Sequence, residues 1–323
     1  MSSEINKESI KSKITKHLWT TELGRTVRFG IGCAWLGRSE SYLDTLTQDL
    51  NVLMSCYEKG FRYYDTSRAY GNSEQTVGEF ISRIDRKSIF IATKSPYPRF
   101  EGSGKRNFQI FKDNFYQSFE RLHTDHVDLF QIHDTDHYEC CTEEVIPFLR
   151  ERQSEGLISY IGMGTLSLNA HENAVRSGMV NSVLSYMNYS ILKKSASHVI
   201  DVCRTFDAAF INASIYHYGL IRSEDPLQYR LEHNPPHMAR NRITASLMQD
   251  LCAKMGVPVL AAALQFPLLN PDIDMILIGI GRMDNLKSTL TSLDTPIYAE
   301  QWAEILKLQE KQSFMYIQDD LHG

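Results

Sequence analysis

VDLFQIHDTDHYECCTEEVIPFLRERQSEGLISYIGMG (127–164) holds one full repeat of the pattern that decides the fold. Two nearly continuous apolar runs, VDLFQIH (127–133) and ISYIGMG (158–164), flank a segment of helical character that closes on Gly156–Leu157. Strands apolar on both faces belong to a buried parallel sheet, and parallel neighbours need a helical crossover between them. The pattern recurs outward in both directions. FGIGCAW (29–35), FRYYDT (61–66), SIFIATK (88–94), NSVLSYM (181–187), AAFINASIY (208–216) and DMILIGI (274–280) complete a set of eight strands. Between them run amphipathic helices. In 41–59 the stripe is Leu43, Leu46, Leu50, Leu53, Met54 and Tyr57; in 106–123 it is Phe108, Phe111, Phe115, Phe119 and Leu122. Each stripe lays one apolar face on a sheet. Gly60–Phe61, Gly156–Leu157 and Gly178–Met179 end helices with a glycine free to turn left-handed.

Eight β-then-α units without a linker between them predict the α/β class, as a (β/α)8 TIM barrel with an N-terminal β-hairpin and a C-terminal helix. One barrel domain is expected over 17–323, after a flexible N-terminal tail over 1–16. The rival is a doubly wound open sheet, but no G-x-G-x-x-G follows the first strand. LWTTELGRTVR (18–28) reads as a hairpin turning at Leu23–Gly24–Arg25 and placed to cover the N-terminal mouth of the barrel. The stretch 219–238, broken by prolines, is expected to be irregular and to hang over the opposite end.

Composition narrows the class of function. Of 323 residues, 42% are apolar, and 34 Lys and Arg against 39 Asp and Glu leave a net charge of −5. That composition excludes a disordered chain and gives no global attraction to nucleic acid or anionic lipid. The apolar stretch 257–269 is broken by Pro and Gln and is shorter than the ~20 residues of a membrane span. The N-terminus MSSEINKESIKSKITKHLW (1–19) lacks the apolar core of a secretory signal, so a cytoplasmic location and no membrane partner are expected. Cys33, Cys56, Cys140, Cys141, Cys203 and Cys252 include no C-x-x-C and read as reduced thiols. No metal is expected, because Pro235–Pro236 breaks any helix that would align His233 with His237.

In such barrels chemistry sits at the carboxyl ends of the strands. There the second strand ends in Asp65-Thr66-Ser67 with Tyr70 close behind, the third in Lys94 and the fourth in His133. Each alone is an ordinary rim or core residue. Four titratable groups from adjacent strands are another matter, since burying such a cluster without a use costs several kcal/mol. A phenol titrates near 10, and a neighbouring ammonium favours the phenolate. Tyr70 is thus the expected general acid/base and Lys94 the group that lowers its pKa.

GFRYYDTSRAYGNSEQTVGEF (60–80), IATKS (91–95) and DLFQIHD (128–134) resemble the aldo-keto reductase family, and the likeness extends from about residue 20 to 312. VPVLAAALQFPLLNP (257–271) and LSYMNY (184–189) are most similar to the branch holding the L-galactose, L-fucose (D-threo-aldose) and pyridoxal dehydrogenases. The resemblance implies that Asp65 pairs with Lys94, and that His133 binds the substrate oxygen. It also implies helix through 258–269, although Gly256–Val257 looks like a helix end.

The resemblance further implies hydride transfer between a nicotinamide and an aldehyde, aldose or alcohol. Ser214, Gly219 and Leu220 stand at matching cofactor positions; Thr165 replaces the usual Ser-Asn, Tyr186 a usual Gln, and Gly279 and Arg282 fall in the last cofactor segment, with Trp35 as an aromatic wall for the substrate. Many NADP-using members carry Lys-Ser after the last strand, where this chain has Gly279-Ile280. Only Arg282 remains for a 2′-phosphate, with Asp284 beside it, so NAD is favoured over NADP. The alternatives are a cofactor-binding regulatory or scaffold protein on the same barrel, and a lyase using Lys94 as a Schiff base. Whether the protein is a monomer or a homo-oligomer stays open.

Overall fold

The computed structural model describes residues 8–21, 24–38, 42–97, 107–134, 138–230 and 238–322. Leu23, His233 and His237 lie outside them. A short antiparallel hairpin, β1 (Trp19–Thr20) and β2 (Thr26–Val27), precedes eight parallel strands. These are β3 (Phe29–Gly32), β4 (Tyr63–Asp65), β5 (Phe90–Pro96), β6 (Val127–His133), β7 (Ile158–Thr165), β8 (Ser182–Tyr186), β9 (Ala209–Ala213) and β10 (Met275–Gly279). They close in the order β10-β3-β4-β5-β6-β7-β8-β9, the expected barrel. Pairing of β10 with β3, Ile276 against Phe29 through Gly279 against Gly32, makes the seam. Arg28 staples the base of that seam, donating to the carbonyls of Leu268 and Asn270 at 2.9 Å each.

Residues alternate across the barrel wall with period two. Tyr63, Phe90, Leu129, Tyr160, Leu184, Ile211 and Met275 form an inner cluster, while Tyr64, Ile91, Phe130, Ile161, Val183, Phe210 and Ile276 face the helices. Outside lie α2 (Tyr42–Glu58), α3 (Ser73–Ile81), α4 (Phe108–Arg121), α5 (Val145–Ser154), α6 (Leu168–Arg176), α7 (Ser197–Thr205) and α8 (Met238–Lys254). They are followed by α9 (Val259–Gln265), α10 (Met283–Asp294) and the C-terminal α11 (Ala299–His322). Gly60, Gly156 and Gly178 adopt the expected left-handed φ of 96°, 83° and 66°. Gly256 does too, and Pro258 caps a helix two residues later, as the family likeness implied. Among the described residues no single helix is long and apolar enough to cross a membrane.

Two features differ from the reading of the sequence. Part of the expected tail is ordered: α1 (Ile10–Thr15) starts at Ser9, whose side chain accepts from the Ser12 N–H. Its Ile10 and Ile14 are buried in the inner cluster with Tyr63, Phe90 and Tyr160, and Tyr160 Oη donates to the Glu8 carbonyl at 2.9 Å. This helix plugs the N-terminal mouth. The hairpin packs beside it, with Trp19 stacked on Phe61 at 4.2 Å.

The other difference is strand length. β3 stops at Gly32 and leaves Trp35 in a turn; β9 stops at Ala213, because Ser214 is left-handed at φ 56°. Both chains leave the sheet at the rim where the site lies.

Candidate active site

Period-two alternation turns Asp65, Lys94, Gln131 and His133 toward the axis at the carboxyl end of the barrel. Lys94 and Asp65 are fully buried and hydrogen-bonded to each other, and Lys94 Nζ also donates to the Thr66 carbonyl at 2.7 Å. Gln131 Nε2 donates to the second Asp65 oxygen at 3.0 Å. The lysine stem fits because β7 presents Gly164: a Cβ there would sit 3.3 Å from Lys94 Cδ. Burial works against the ammonium, but the Asp65 carboxylate and then Tyr70 outweigh it, so Lys94 titrates above its ordinary value. Burial raises the Asp65 carboxyl, with Lys94 and Gln131 pulling it back.

Tyr70 stands over this pair. The Lys94 nitrogen is 5.0 Å from the Tyr70 ring centroid, and the His133 ring meets the same tyrosine edge-on at 5.5 Å. One expectation is corrected here. Lys94 does pull the Tyr70 phenol down, but burial is the larger effect, with Asp65 and Asp134 adding to it, and the phenol lies above its ordinary value. His133 is buried and uncharged, its pKa lowered to about 3 by burial and then by Lys94. Its Nδ1 lies 3.0 Å from Ser67 Oγ, which also reaches the Lys94 carbonyl at 3.1 Å.

The structure thus brings Asp65, Tyr70, Lys94 and His133 together. Gln131, Ser67 and Asp134 belong with them and were not singled out in the sequence. Gln131 carried a signal: it lies two residues before His133 and so shares its face. Asp134 follows the last residue of β6 with φ 50°. It accepts from Tyr186 Oη at 3.0 Å and places its other oxygen 3.5 Å from His133 Nε2.

The expected cofactor positions fall into two groups. Ser214 and Gly219 lie in a left-handed run after β9, with φ 56° at Ser214, 48° at His217, 56° at Tyr218 and 96° at Gly219. Such strain persists only where the surroundings enforce it. Here Ser190 Oγ lies 2.7 Å from His217 Nε2, and Tyr229 Oη donates to the Tyr218 carbonyl at 2.6 Å. Gly279, exposed, ends the adjoining strand β10; Arg282 is exposed and caps α10.

The rest are set differently. Leu220 is buried in the outer core, and Tyr186 points to Asp134. Thr165 is buried, its hydroxyl accepting from the Ser167 N–H at 3.2 Å. Trp35 is half exposed and lies across the seam: a Cβ on Gly279 would meet its Cδ1 at 3.0 Å. The Arg38 guanidinium lies over its ring at 4.6 Å. A left-handed backbone run and a side-chain-free glycine thus follow or end adjoining strands at this rim. Among the described residues no three His, Cys, Asp or Glu side chains are grouped to hold a metal.

A parallel barrel with an acid–base cluster at the carboxyl ends of its strands defines a (β/α)8 enzyme. The chain belongs to the aldo/keto reductase family, whose model matches residues 28–310, and with it to the oxidoreductases. It is 26% identical to a D-threo-aldose 1-dehydrogenase of a Pseudomonas species, over 79% of this chain and 85% of that one. It is 23% identical to the L-galactose dehydrogenase of Arabidopsis thaliana, over 82% and 83%. The holo form of a Bacillus halodurans aldo-keto reductase superposes with a TM-score of 0.70 at 24% identity, covering 90% of this chain and 95% of that one.

Proposed function

We propose that this protein is a nicotinamide-dependent oxidoreductase that interconverts an alcohol and a carbonyl, with an aldose oxidised at C1 as the favoured reaction. When bound, the nicotinamide supplies or accepts the hydride. No side chain in the cluster can do this, so the chain's own task is the proton. Tyr70 gives its phenolic proton to the forming alkoxide, or as phenolate takes the hydroxyl proton in the oxidative direction. Lys94, held charged by Asp65, stabilises that phenolate; Gln131 keeps Asp65 in place. His133, uncharged, donates a hydrogen bond to the substrate oxygen and orients it.

The observation that carries this reading is the Lys94–Asp65 pair lying beneath the Tyr70 ring with neutral His133 at its edge. Residues 214–219 and Gly279 would hold the cofactor, with Trp35 closing one side of the mouth. NAD is favoured, since Asp284 in the first turn of α10 opposes a 2′-phosphate near Arg282. A small-molecule aldehyde, aldose or alcohol is the partner. The test follows absorbance at 340 nm with NAD⁺ and NADP⁺ against aldoses and aromatic alcohols. Turnover that depends on Tyr70 supports the reading; absence of turnover, or full activity in Tyr70→Phe, refutes it.

A further inference from the structure

We propose that Asp134 is a specificity-determining residue: it accepts a hydrogen bond from a hydroxyl on the carbon next to the reacting one, so the site selects aldoses and other α-hydroxycarbonyl compounds. This rests on the hydride-transfer reading above.

Asp134 is set in place by three contacts of different kinds. Its left-handed backbone, at φ 50°, turns the chain at the end of β6, and its N–H donates to the Gly164 carbonyl at 2.8 Å. Tyr186 Oη fixes one carboxylate oxygen. The other stands 3.5 Å from His133 Nε2, and the side chain keeps 53% of its surface open to solvent. A carboxylate at the lip of the barrel thus lies beside the group assigned to the substrate oxygen.

The pairing has a chemical meaning. His133 is neutral and carries one ring proton. A carboxylate on the Nε2 side favours that proton on Nε2, and the Ser67 hydroxyl then turns its own proton to Nδ1 in place of the Lys94 carbonyl. Nε2–H then donates while the neighbouring Asp134 oxygen accepts. Their spacing suits two oxygens on adjacent carbons, one a carbonyl or alkoxide and the other a hydroxyl. A benzaldehyde offers the carboxylate nothing to accept, and a 2-oxoacid brings a second negative charge to it.

The test compares kcat/KM for L-galactose and 2-deoxy-L-galactose with NAD⁺ and NADP⁺, with benzaldehyde reduction by NADH and NADPH as a separate measure of hydride transfer. The variants are Asp134→Asn and Asp134→Ser; asparagine also tolerates a left-handed backbone. A hydrogen bond to a charged group predicts a wild-type preference of about tenfold or more for the hydroxylated sugar. That ratio should fall in Asp134→Asn, whose amide oxygen still accepts a weaker, neutral bond, and approach one in Asp134→Ser. A wild-type ratio near one, or a preference undiminished in the variants, overturns the assignment. So does turnover of benzaldehyde alone, which leaves hydride transfer standing. No turnover of any of the three with either nicotinamide overturns both readings.

Discussion

The Lys94 ammonium nitrogen lies 5.0 Å from the centre of the Tyr70 ring while it is bonded to the Asp65 carboxylate below. In the proposed reaction one cation serves two anions in turn, the permanent carboxylate and the phenolate formed during proton transfer. Tyr70→Phe removes the proton carrier and should lower kcat by about 10²-fold or more. Lys94→Met removes the charge that makes the phenolate accessible and also leaves Asp65 unpaired. Because both act on one proton, Tyr70→Phe/Lys94→Met should be little worse than the single variants. Steady-state kinetics on the three variants measures this, and additive losses would separate the two roles. Borohydride should trap no substrate adduct on Lys94, since Asp65 keeps the amine protonated.

Asp65, Lys94 and His133 were legible because strand alternation fixes which residues face the axis. Eight apolar runs likewise fixed the barrel. The plug helix was not legible: IKSKIT has two apolar residues spaced four apart among lysines, a stripe too short to stand out from a polar tail. The Tyr186–Asp134 bond was hidden for another reason. It joins two strand ends far apart in sequence, through a residue whose orientation depends on a left-handed backbone.

That plug should carry stability. Ile14 is buried against the inner cluster, so Ile14→Ala should cost about 2–5 kcal/mol, the usual range for an isoleucine removed from a core. Ile14→Asp should cost more, because it buries a charge over Phe90 and Tyr63 without a partner. Urea midpoints measure both, and unaltered midpoints would show that α1 adds little to the fold.

Gly78, in the quoted family motif, has a steric origin. A Cβ there would lie 2.1 Å from the Arg121 carbonyl oxygen and 3.0 Å from Leu122 Cα, where α3 crosses the end of α4. Backbone atoms cannot swing aside as a side chain end does. Gly78→Ala should therefore lower stability by about 1–3 kcal/mol through overpacking, although alanine is the better helix former. The same substitution at Gly156, which has nothing within 4 Å, meets only the cost of its positive φ.

His133 and His171 are both buried, with pKa values lowered to about 3, chiefly by burial. In the unfolded chain each titrates near 6.5, so below that pH the unfolded state binds more protons and stability falls as pH drops. The window runs from about 6.5 down to about 3, at roughly 1.4 kcal/mol per pH unit for each histidine. His171 lies outside the active-site cluster, so His171→Gln should reduce that slope by about one histidine's share, whatever it does to stability at pH 7. Denaturant midpoints at pH 7 and pH 5 for both proteins measure the difference. Equal slopes would mean that His171 binds a proton in the folded state.

In the proposed reading, cofactor choice turns on Gly279 and Trp35. A lysine at 279 would supply a second cation for a 2′-phosphate, but its Cβ meets Trp35 Cδ1 at 3.0 Å. Gly279→Lys alone must therefore push the indole by a few tenths of an ångström, and should weaken use of both cofactors. Trp35→Ala/Gly279→Lys frees the space, and the new ammonium attracts the phosphate while leaving NAD⁺, which lacks that group, largely indifferent. KM for NADP⁺ should fall about tenfold relative to KM for NAD⁺ in the double variant, the effect of roughly 1.4 kcal/mol from one partly exposed ion pair. The ratio of the two KM values is the informative quantity, because loss of Trp35 also loosens the substrate side of the mouth. If the wild type already prefers NADP⁺ strongly, Arg282 alone holds the phosphate, and Asp284 does not repel it.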